Sequence, residues 1–158
     1  MEIKKYLKEY ALLAEIIGAI AVVISLIYVG SGIRQNTSAI QVTNHQSSIA
    51  LGMELGAWMR DAEFAETYEL ALRDFSQLTT VQKLQFDSYV GNELNIWEFG
   101  FYTHYSGMMS DEIWSGWDRW FRSEINQESF RTLWLASKRV GYGEDFRIYV
   151  DSTIINAE

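Results

Sequence analysis

A long apolar run at residues 11–33 constrains this chain more than any other feature. The run is rich in Ala, Ile, Leu and Val, and Glu15 is its one charged side chain. At a rise of about 1.5 Å per residue, a helix of this length spans roughly 35 Å, which exceeds a hydrocarbon core of about 30 Å. The run therefore predicts a transmembrane helix, so the lipid bilayer is an expected partner of this chain.

Two other interpretations of the apolar run stay open. A helix that is apolar on every face can instead be the buried core of a soluble domain. The run can also belong to a cleavable signal peptide, because lysines precede it and Val29-Gly30-Ser31 resembles a cleavage site. Signal-peptide centres usually have about 7–15 apolar residues. This run is longer, which favours a spanning helix.

The cations near the apolar run predict its orientation. Lys4, Lys5 and Lys8 precede it, whereas Arg34 follows it and no further Lys or Arg occurs before Arg60. Cytoplasmic flanks carry the excess of positive charge. We therefore expect residues 1–10 to be a short basic cytoplasmic N-terminus. The C-terminal part then lies outside the cytoplasm.

Small side chains share one face of the predicted spanning helix. At heptad spacings this face carries Ala14, Gly18, Ala21, Ser25 and Gly32, with Tyr28 between the last two. Small residues let helix backbones approach closely, which drives helix association in lipid. The face predicts a helix–helix interface, and its partner is either another copy of the chain or a different transmembrane protein.

Glu15 lies about one helical turn inside the N-terminal end of the run. A carboxylate near the membrane interface costs far less than one at the midplane, so Glu15 can extend toward the headgroups. In an oligomer, a ring of Glu15 side chains would instead form an ion or proton site. Both interpretations stay open.

The heptad phase of the small-residue face continues beyond the apolar run. It passes through Gln35, Ala39, Val42, Gln46, Ile49, Met53 and Gly56. The chain contains no proline, the residue that would interrupt a helix. We expect residues 34–60 to be a helical extension of the spanning helix. Its glutamines at core-type positions are typical of residues that fix register and copy number.

Residues 61–158 predict a small, acidic, all-α domain, because no alternating pattern indicates a strand. Helix starts are indicated by capping residues, namely Asp61, Thr79 with Gln82, Ser110, Asn126, and Glu144 with Asp145. Helix ends are indicated by Gly107 and by the Gly-Tyr-Gly stretch at residues 141–143. The whole chain is then one transmembrane helix with a long extension, followed by a small aromatic-rich helical bundle.

Aromatic side chains concentrate in the middle of this domain, with eleven between Phe86 and Phe121. Each large ring can bury about 150–250 Å², so the rings alone could hold a small domain together. We expect the helix that follows Ser110 to bury Ile113, Trp117, Trp120 and Phe121. The alternatives for the aromatic cluster are a partner-binding surface and an apolar pocket.

Charge and composition exclude several kinds of function. Residues 35–158 carry nine cations and eighteen anions, and an acidic domain repels phosphate backbones, so nucleic acid is not expected as a partner. The chain has no cysteine, which excludes disulfides and thiolate metal sites. We predict no cofactor.

Signals of catalysis or metal binding are weak. Glu93, Glu98 and His104 lie within three turns of one predicted helix, but their spacing is not that of metal ligands. We interpret them as a buried carboxylate network or as surface, and we predict no catalytic or metal site. An enzyme would need a polar pocket around Glu93 or Glu98.

Two N-terminal stretches are distinctive, Glu15-Ile-Ile-Gly-Ala-Ile-Ala-Val-Val-Ile-Ser-Leu-Ile-Tyr-Val29 and Ile33-Arg-Gln-Asn-Thr37. They resemble the N-terminal residues of a widespread family of small uncharacterised bacterial single-pass membrane proteins. The resemblance extends more loosely over most of the chain. The chain departs from the family pattern in its Gly-Ser-Gly stretch at residues 30–32 and its Gly-Tyr-Gly stretch at residues 141–143. The resemblance implies a bacterial inner membrane and a helical fold, and it implies no catalytic residues.

Together these features predict a non-enzymatic membrane-anchored helical protein that self-associates through its small-residue face. Such an assembly would be an oligomeric scaffold or a pore. The main alternative is an accessory subunit of a larger membrane complex, in which the same face binds a foreign helix. A membrane-tethered enzyme is the third alternative.

Overall fold

The computed structural model describes residues 2–136 and 138–155, and every regular element in these ranges is helical. The elements in chain order are α1 (Glu2–Trp58), α2 (Ala62–Asp74), α3 (Thr80–Tyr105), α4 (Asp111–Ile125), α5 (Glu128–Ala136) and α6 (Glu144–Ile155). Short 3₁₀ helices occupy Phe75–Gln77 and Lys138–Gly141. The predicted all-α class, with a long N-terminal helix and a smaller aromatic-rich bundle, is confirmed.

The chain forms two compact units, Met1–Ile40 and Gln41–Glu158. In the first unit, α1 continues without a break through the Gly-Ser-Gly stretch at residues 30–32. A glycine in a helix interior costs only about 1 kcal/mol relative to alanine, and no proline interrupts the helix. Two glycines therefore do not end a helix of this length.

Local capping interactions fix most helix starts in the second unit. The Asp61 carboxylate accepts a hydrogen bond of 2.8 Å from the Phe64 amide. Thr79 and Gln82 form the predicted reciprocal capping box at the start of α3, and Ser110 caps α4 by accepting from Ile113. These three predictions are confirmed. Each capping side chain satisfies free amides in the first turn of its own helix.

The predicted helix start at Asn126 was wrong. Asn126 instead ends α4, where its Nδ2 donates 2.7 Å to the Arg122 carbonyl. The α5 helix begins at Glu128, and the Arg131 amide donates to the Gln127 carbonyl over 3.0 Å. An Asn side chain donates as readily as it accepts, so in this short connection it satisfies a C-terminal carbonyl of the preceding helix.

Aromatic rings form the core of the second unit, as the sequence predicted. Trp97 on α3 stacks on Phe121 of α4 and meets Phe146 of α6 edge to face, with both centroid distances at 5.5 Å. Phe86 and Phe130 meet edge to face at 5.4 Å, and all five rings are buried. Such pairs add about 0.5–1.5 kcal/mol each beyond the burial of their area.

The prediction that α4 buries four apolar residues was correct for Phe121 alone. Ile113 and Trp117 are half-buried, and Trp120 is 38% exposed. In an α-helix, residues three and four apart share a face. The side of α4 that carries Phe121 and Ile125 enters the core, so the neighbouring Trp120 lies at its edge.

The last part of α1 belongs to the C-terminal unit. Leu55 and Ser48 are buried, and Leu51 and Trp58 pack partly against the core. Two polar side chains of α1 also bind the α3–α4 connection: the side-chain amides of Gln41 and Asn44 donate to the carbonyls of Gly107 and Met108. One face of α1 from residue 41 to residue 58 is thus a structural part of the bundle.

Candidate functional site

The apolar segment of α1 is uncovered in the first unit. Every side chain from residue 11 to residue 29 is exposed, and the most apolar window has a mean hydropathy of 2.5 with none of it buried. By length and composition this helix could cross a membrane. A core helix of a soluble domain would be buried on most sides, which is not what the described residues show.

The predicted interface residues lie together on one exposed face of α1. A Cβ added to Gly18 or Gly32 would meet no atom within 4 Å. The Ser25 hydroxyl donates 2.8 Å to the Ala21 carbonyl one turn earlier. That bond satisfies the hydroxyl within its own helix, as a non-aqueous environment requires. Ala14, Gly18, Ala21, Ser25 and Gly32 therefore offer a surface without protruding polar groups.

Glu15 is exposed on α1, next to Ala14. Its position in the first turns of the apolar segment keeps its carboxylate near one end of that segment. Neighbouring positions on a helix differ by about 100°, so Glu15 lies beside the small-residue face. Each chain has one Glu15 in this segment, so a ring of Glu15 side chains would need further copies of α1.

A second candidate site is a buried acid in the C-terminal unit. Glu93 of α3 is only 2% exposed, and its Oε2 has no hydrogen-bond partner among the described residues. Glu93 and Glu124 of α4 line the same small cavity of about 10 Å³, which apolar side chains otherwise enclose. Glu124 in turn accepts a hydrogen bond of 2.9 Å from the Tyr68 hydroxyl of α2.

The electrostatics of this cluster favour a protonated Glu93. Burial, together with the nearby Glu124 carboxylate, raises the pKa of Glu93 to about 9. Burial and the same Glu124 carboxylate also raise the pKa of Tyr68, and burial with the Glu93 charge raises the pKa of Tyr89. At neutral pH, Glu93 thus holds its proton and both phenols stay neutral.

The size of the cavity limits the chemistry of this cluster. A volume of about 10 Å³ admits at most one water molecule. Catalysis needs the acid within hydrogen-bond reach of the substrate, and this cavity has no room for one. Glu93 can hold a proton inside the bundle. Its shared cavity with Glu124, and the hydrogen bond from Tyr68 to Glu124, connect α2, α3 and α4.

The other residues considered for metal binding have separate partners. Glu98 accepts a hydrogen bond of 2.7 Å from the Gly143 amide, and His104 Nε2 lies 2.9 Å from an Asp111 oxygen at the surface. Glu93 points to the cavity that it shares with Glu124. Within the described ranges, no group of three or more His, Asp or Glu residues could hold a metal ion.

The sequence left open whether Glu93 is buried or lies at the surface, and its partners were not predicted. Glu93 follows Phe86, Tyr89 and Val90 at helical spacing and precedes Trp97, so it falls on the apolar face of α3. That position is the signal of a buried acid. Tyr68 and Glu124 lie on other helices, and no local pattern connects them to Glu93.

A polar network also connects α3, α4 and α6. The Asp118 carboxylate accepts hydrogen bonds from the Trp97 indole, from the Tyr149 hydroxyl and from Arg122. Arg122 donates to the Tyr149 oxygen as well, over 2.6 Å. Each polar group in this network has a partner, so it fixes the orientation of α6 without leaving a reactive group free.

No family model, curated protein or solved structure matches this chain. The resemblance to small bacterial membrane proteins therefore stays a prediction, and residues 15–37 carry it.

Proposed function

We propose that this chain is a non-enzymatic bacterial inner-membrane protein that spans the bilayer once and displays an acidic helical domain. The observation that carries the proposal is the uncovered apolar surface of α1. Twelve large apolar side chains between residues 11 and 29 are exposed. Leaving each one in water forgoes about 1.5–3 kcal/mol, so lipid is the environment that this segment fits.

The proposed role of the membrane segment is self-association, which makes the protein an oligomeric scaffold. Ala14, Gly18, Ala21, Ser25 and Gly32 present small, internally satisfied groups on one face of α1. In lipid, such a face supports close helix packing. A pore is the form of this assembly in which Glu15 side chains border a central channel. Unchanged ion conductance and assembly in Glu15→Gln would exclude a pore.

The proposed orientation places the N-terminus in the cytoplasm and the acidic domain in the periplasm. The lysines at positions 4, 5 and 8 support it through the positive-inside rule. Ser47 is exposed, so Ser47→Cys offers an accessible thiol in a chain that has no other. A membrane-impermeant maleimide should label this variant in cells whose outer membrane alone is permeable. Labelling only after the inner membrane is opened would reverse the orientation.

Extraction and native mass spectrometry test the proposal directly. We expect the full-length chain to sediment with membranes, to need detergent for solubility and to give an oligomeric mass. A monodisperse protein in plain buffer would exclude membrane insertion. An intact mass that lacks the N-terminal segment would instead identify a cleaved signal peptide.

The same measurement separates self-association from the accessory-subunit alternative. A mass that corresponds to whole multiples of this chain supports the scaffold. A stoichiometric complex with an unrelated membrane protein would show that the small-residue face binds a foreign helix. A monomer alone would exclude both forms of association.

A further inference from the structure

The face of α1 opposite the bundle is apolar and uncovered within the C-terminal unit. Val42, Ile49 and Met53 are 58%, 44% and 63% exposed, although Ser48 and Leu55 on the other side of the same helix are buried. Gln46 and Gly56 are exposed on the same side. We call these five residues, Val42, Gln46, Ile49, Met53 and Gly56, the outer seam.

The spacing of the outer seam is that of a coiled coil. Its positions are four, three, four and three residues apart, which keeps side chains in line along a supercoiled helix. The face toward the bundle is used by residues 44, 48, 51 and 55. Because the two faces lie on different sides of α1, occupation of the seam leaves the bundle contacts intact.

The charge pattern of the seam fits a second copy of the same chain. No Asp, Glu, Lys or Arg occurs from residue 35 to residue 53, although the chain carries a net charge of −8. In a parallel pair of identical helices each residue meets its own counterpart, so any charge there would face a like charge. This stretch contains none.

Gln46 gives the seam a self-complementary polar group. An amide side chain has both a donor and an acceptor, so Gln46 can bond to Gln46 of another copy in the same register. A polar residue at such a position fixes register and copy number at some cost in stability. A partner helix with an apolar residue there would leave the amide unsatisfied.

The branching pattern of the seam indicates the copy number. A step of four leads from Val42 to Gln46 and from Ile49 to Met53, which places Gln46 and Met53 at a positions and Val42 and Ile49 at d positions. In parallel coiled coils, Ile at d with Leu at a favours assemblies of three or four helices over dimers. Two of the three d positions of the seam, Val42 and Ile49, carry β-branched residues, and Gly56 is the third.

We infer that further copies of this chain pack in parallel on the outer seam, in an assembly of more than two chains. The inference rests on the proposed function, since anchoring in one membrane gives all copies the same direction. It deepens that function because it extends the contact to the water-exposed part of α1.

Cysteine cross-linking of the full-length chain tests the inference, because the natural sequence has no cysteine. Ile49→Cys places a thiol in the seam. Ser47→Cys is the matched control, since Ser47 is exposed and lies about 160° around the helix from Ile49. Under mild oxidation in membranes, Ile49→Cys should shift to the mass of a covalent dimer, and Ser47→Cys should remain at monomer mass.

A double variant, oxidised in the same way, shows how many chains the assembly contains. Val42→Cys with Ile49→Cys should give covalent products of three or more chains, because each chain can bond to two neighbours. Products that stop at the dimer would overturn the inference, and so would equal cross-linking of Ile49→Cys and Ser47→Cys. An oligomeric native mass without any cross-link at Ile49→Cys would also overturn it but leave the proposed function standing. A monomeric native mass would contradict both the inference and the proposed self-association.

Discussion

The Tyr68 hydroxyl donates a hydrogen bond of 2.9 Å to Glu124 Oε2, and this bond connects α2 with α4 across 56 positions of sequence. The same Glu124 carboxylate lines the small cavity that holds Glu93. The two acids therefore have different tasks: Glu124 accepts the phenol hydrogen bond, whereas Glu93 holds a proton in an apolar environment.

Removing the phenol oxygen should weaken the bundle. Tyr68→Phe keeps the ring contacts with Phe86 and Tyr89 but leaves Glu124 without this donor. We expect the free energy of unfolding to fall by about 1.5–3 kcal/mol, the range for hydrogen bonds to charged groups. Denaturant titration in detergent measures it. Tyr105→Phe is the control because Tyr105 is 81% exposed, and an equal loss in both variants would contradict the assigned role of the bond.

Glu93 should make the stability of the bundle depend on pH. An unfolded Glu loses its proton near pH 4.3, whereas folded Glu93 keeps its proton up to a pKa of about 9. Between these values unfolding releases a proton, so stability is highest at low pH and falls as the pH rises toward 9. The slope approaches about 1.4 kcal/mol per pH unit.

Glu93→Gln isolates this effect, because it removes the titrating group and keeps the shape. The variant should be more stable than the natural protein at pH 8, and the difference should shrink toward pH 5. Thermal unfolding at several pH values measures this trend. Glu112→Gln, at an exposed position of α4, should leave the pH profile unchanged. A parallel profile for Glu93→Gln and the natural protein would contradict the protonated state.

The parts of the fold that depend on neighbouring residues were predictable from the sequence. Asp61, Thr79 with Gln82, and Ser110 cap helices because each capping bond spans only three residues. The continuous helix from residue 11 to Trp58 followed from the apolar run, from the heptad spacing that continues after it and from the absence of proline. Asn126 was misassigned because the same side chain can serve the helix before it or the helix after it.

The features that depend on distant residues were not predictable. The bundle-facing side of α1 carries polar residues such as Gln41, Asn44 and Ser48, so hydropathy did not mark it as a packing surface. Backbone carbonyls of the α3–α4 connection satisfy two of these side chains. The heptad spacing on the opposite side of α1 was easier to recognise in the sequence, although that side is exposed and does not pack on the bundle.

Close packing between α1 and α4 should make Gly52 intolerant of a side chain. A Cβ at Gly52 would lie 2.8 Å from Cη2 of Trp117, whose ring packs on Phe121. Since a rigid indole must move, Gly52→Ala should lower the free energy of unfolding by about 1–3 kcal/mol. Gly116→Ala is the control: its Cβ meets no atom within 4 Å, and alanine favours the helix by up to about 1 kcal/mol. Denaturation curves that shift in the same direction would contradict the predicted clash.

The small-residue face of α1 can be tested with one substitution made at two positions. Ala21 lies on the face, and Ala19 lies about 160° around the helix from it; both are exposed. Ala21→Ile should separate the packed backbones and weaken association by about tenfold, which is about 1.4 kcal/mol. Ala19→Ile adds the same side chain toward lipid, so the oligomeric mass in detergent should persist. If both variants dissociate equally, or neither does, the interface lies on another side of α1. Because hydrophobicity changes identically in the two variants, any difference between them reports the direction of packing alone.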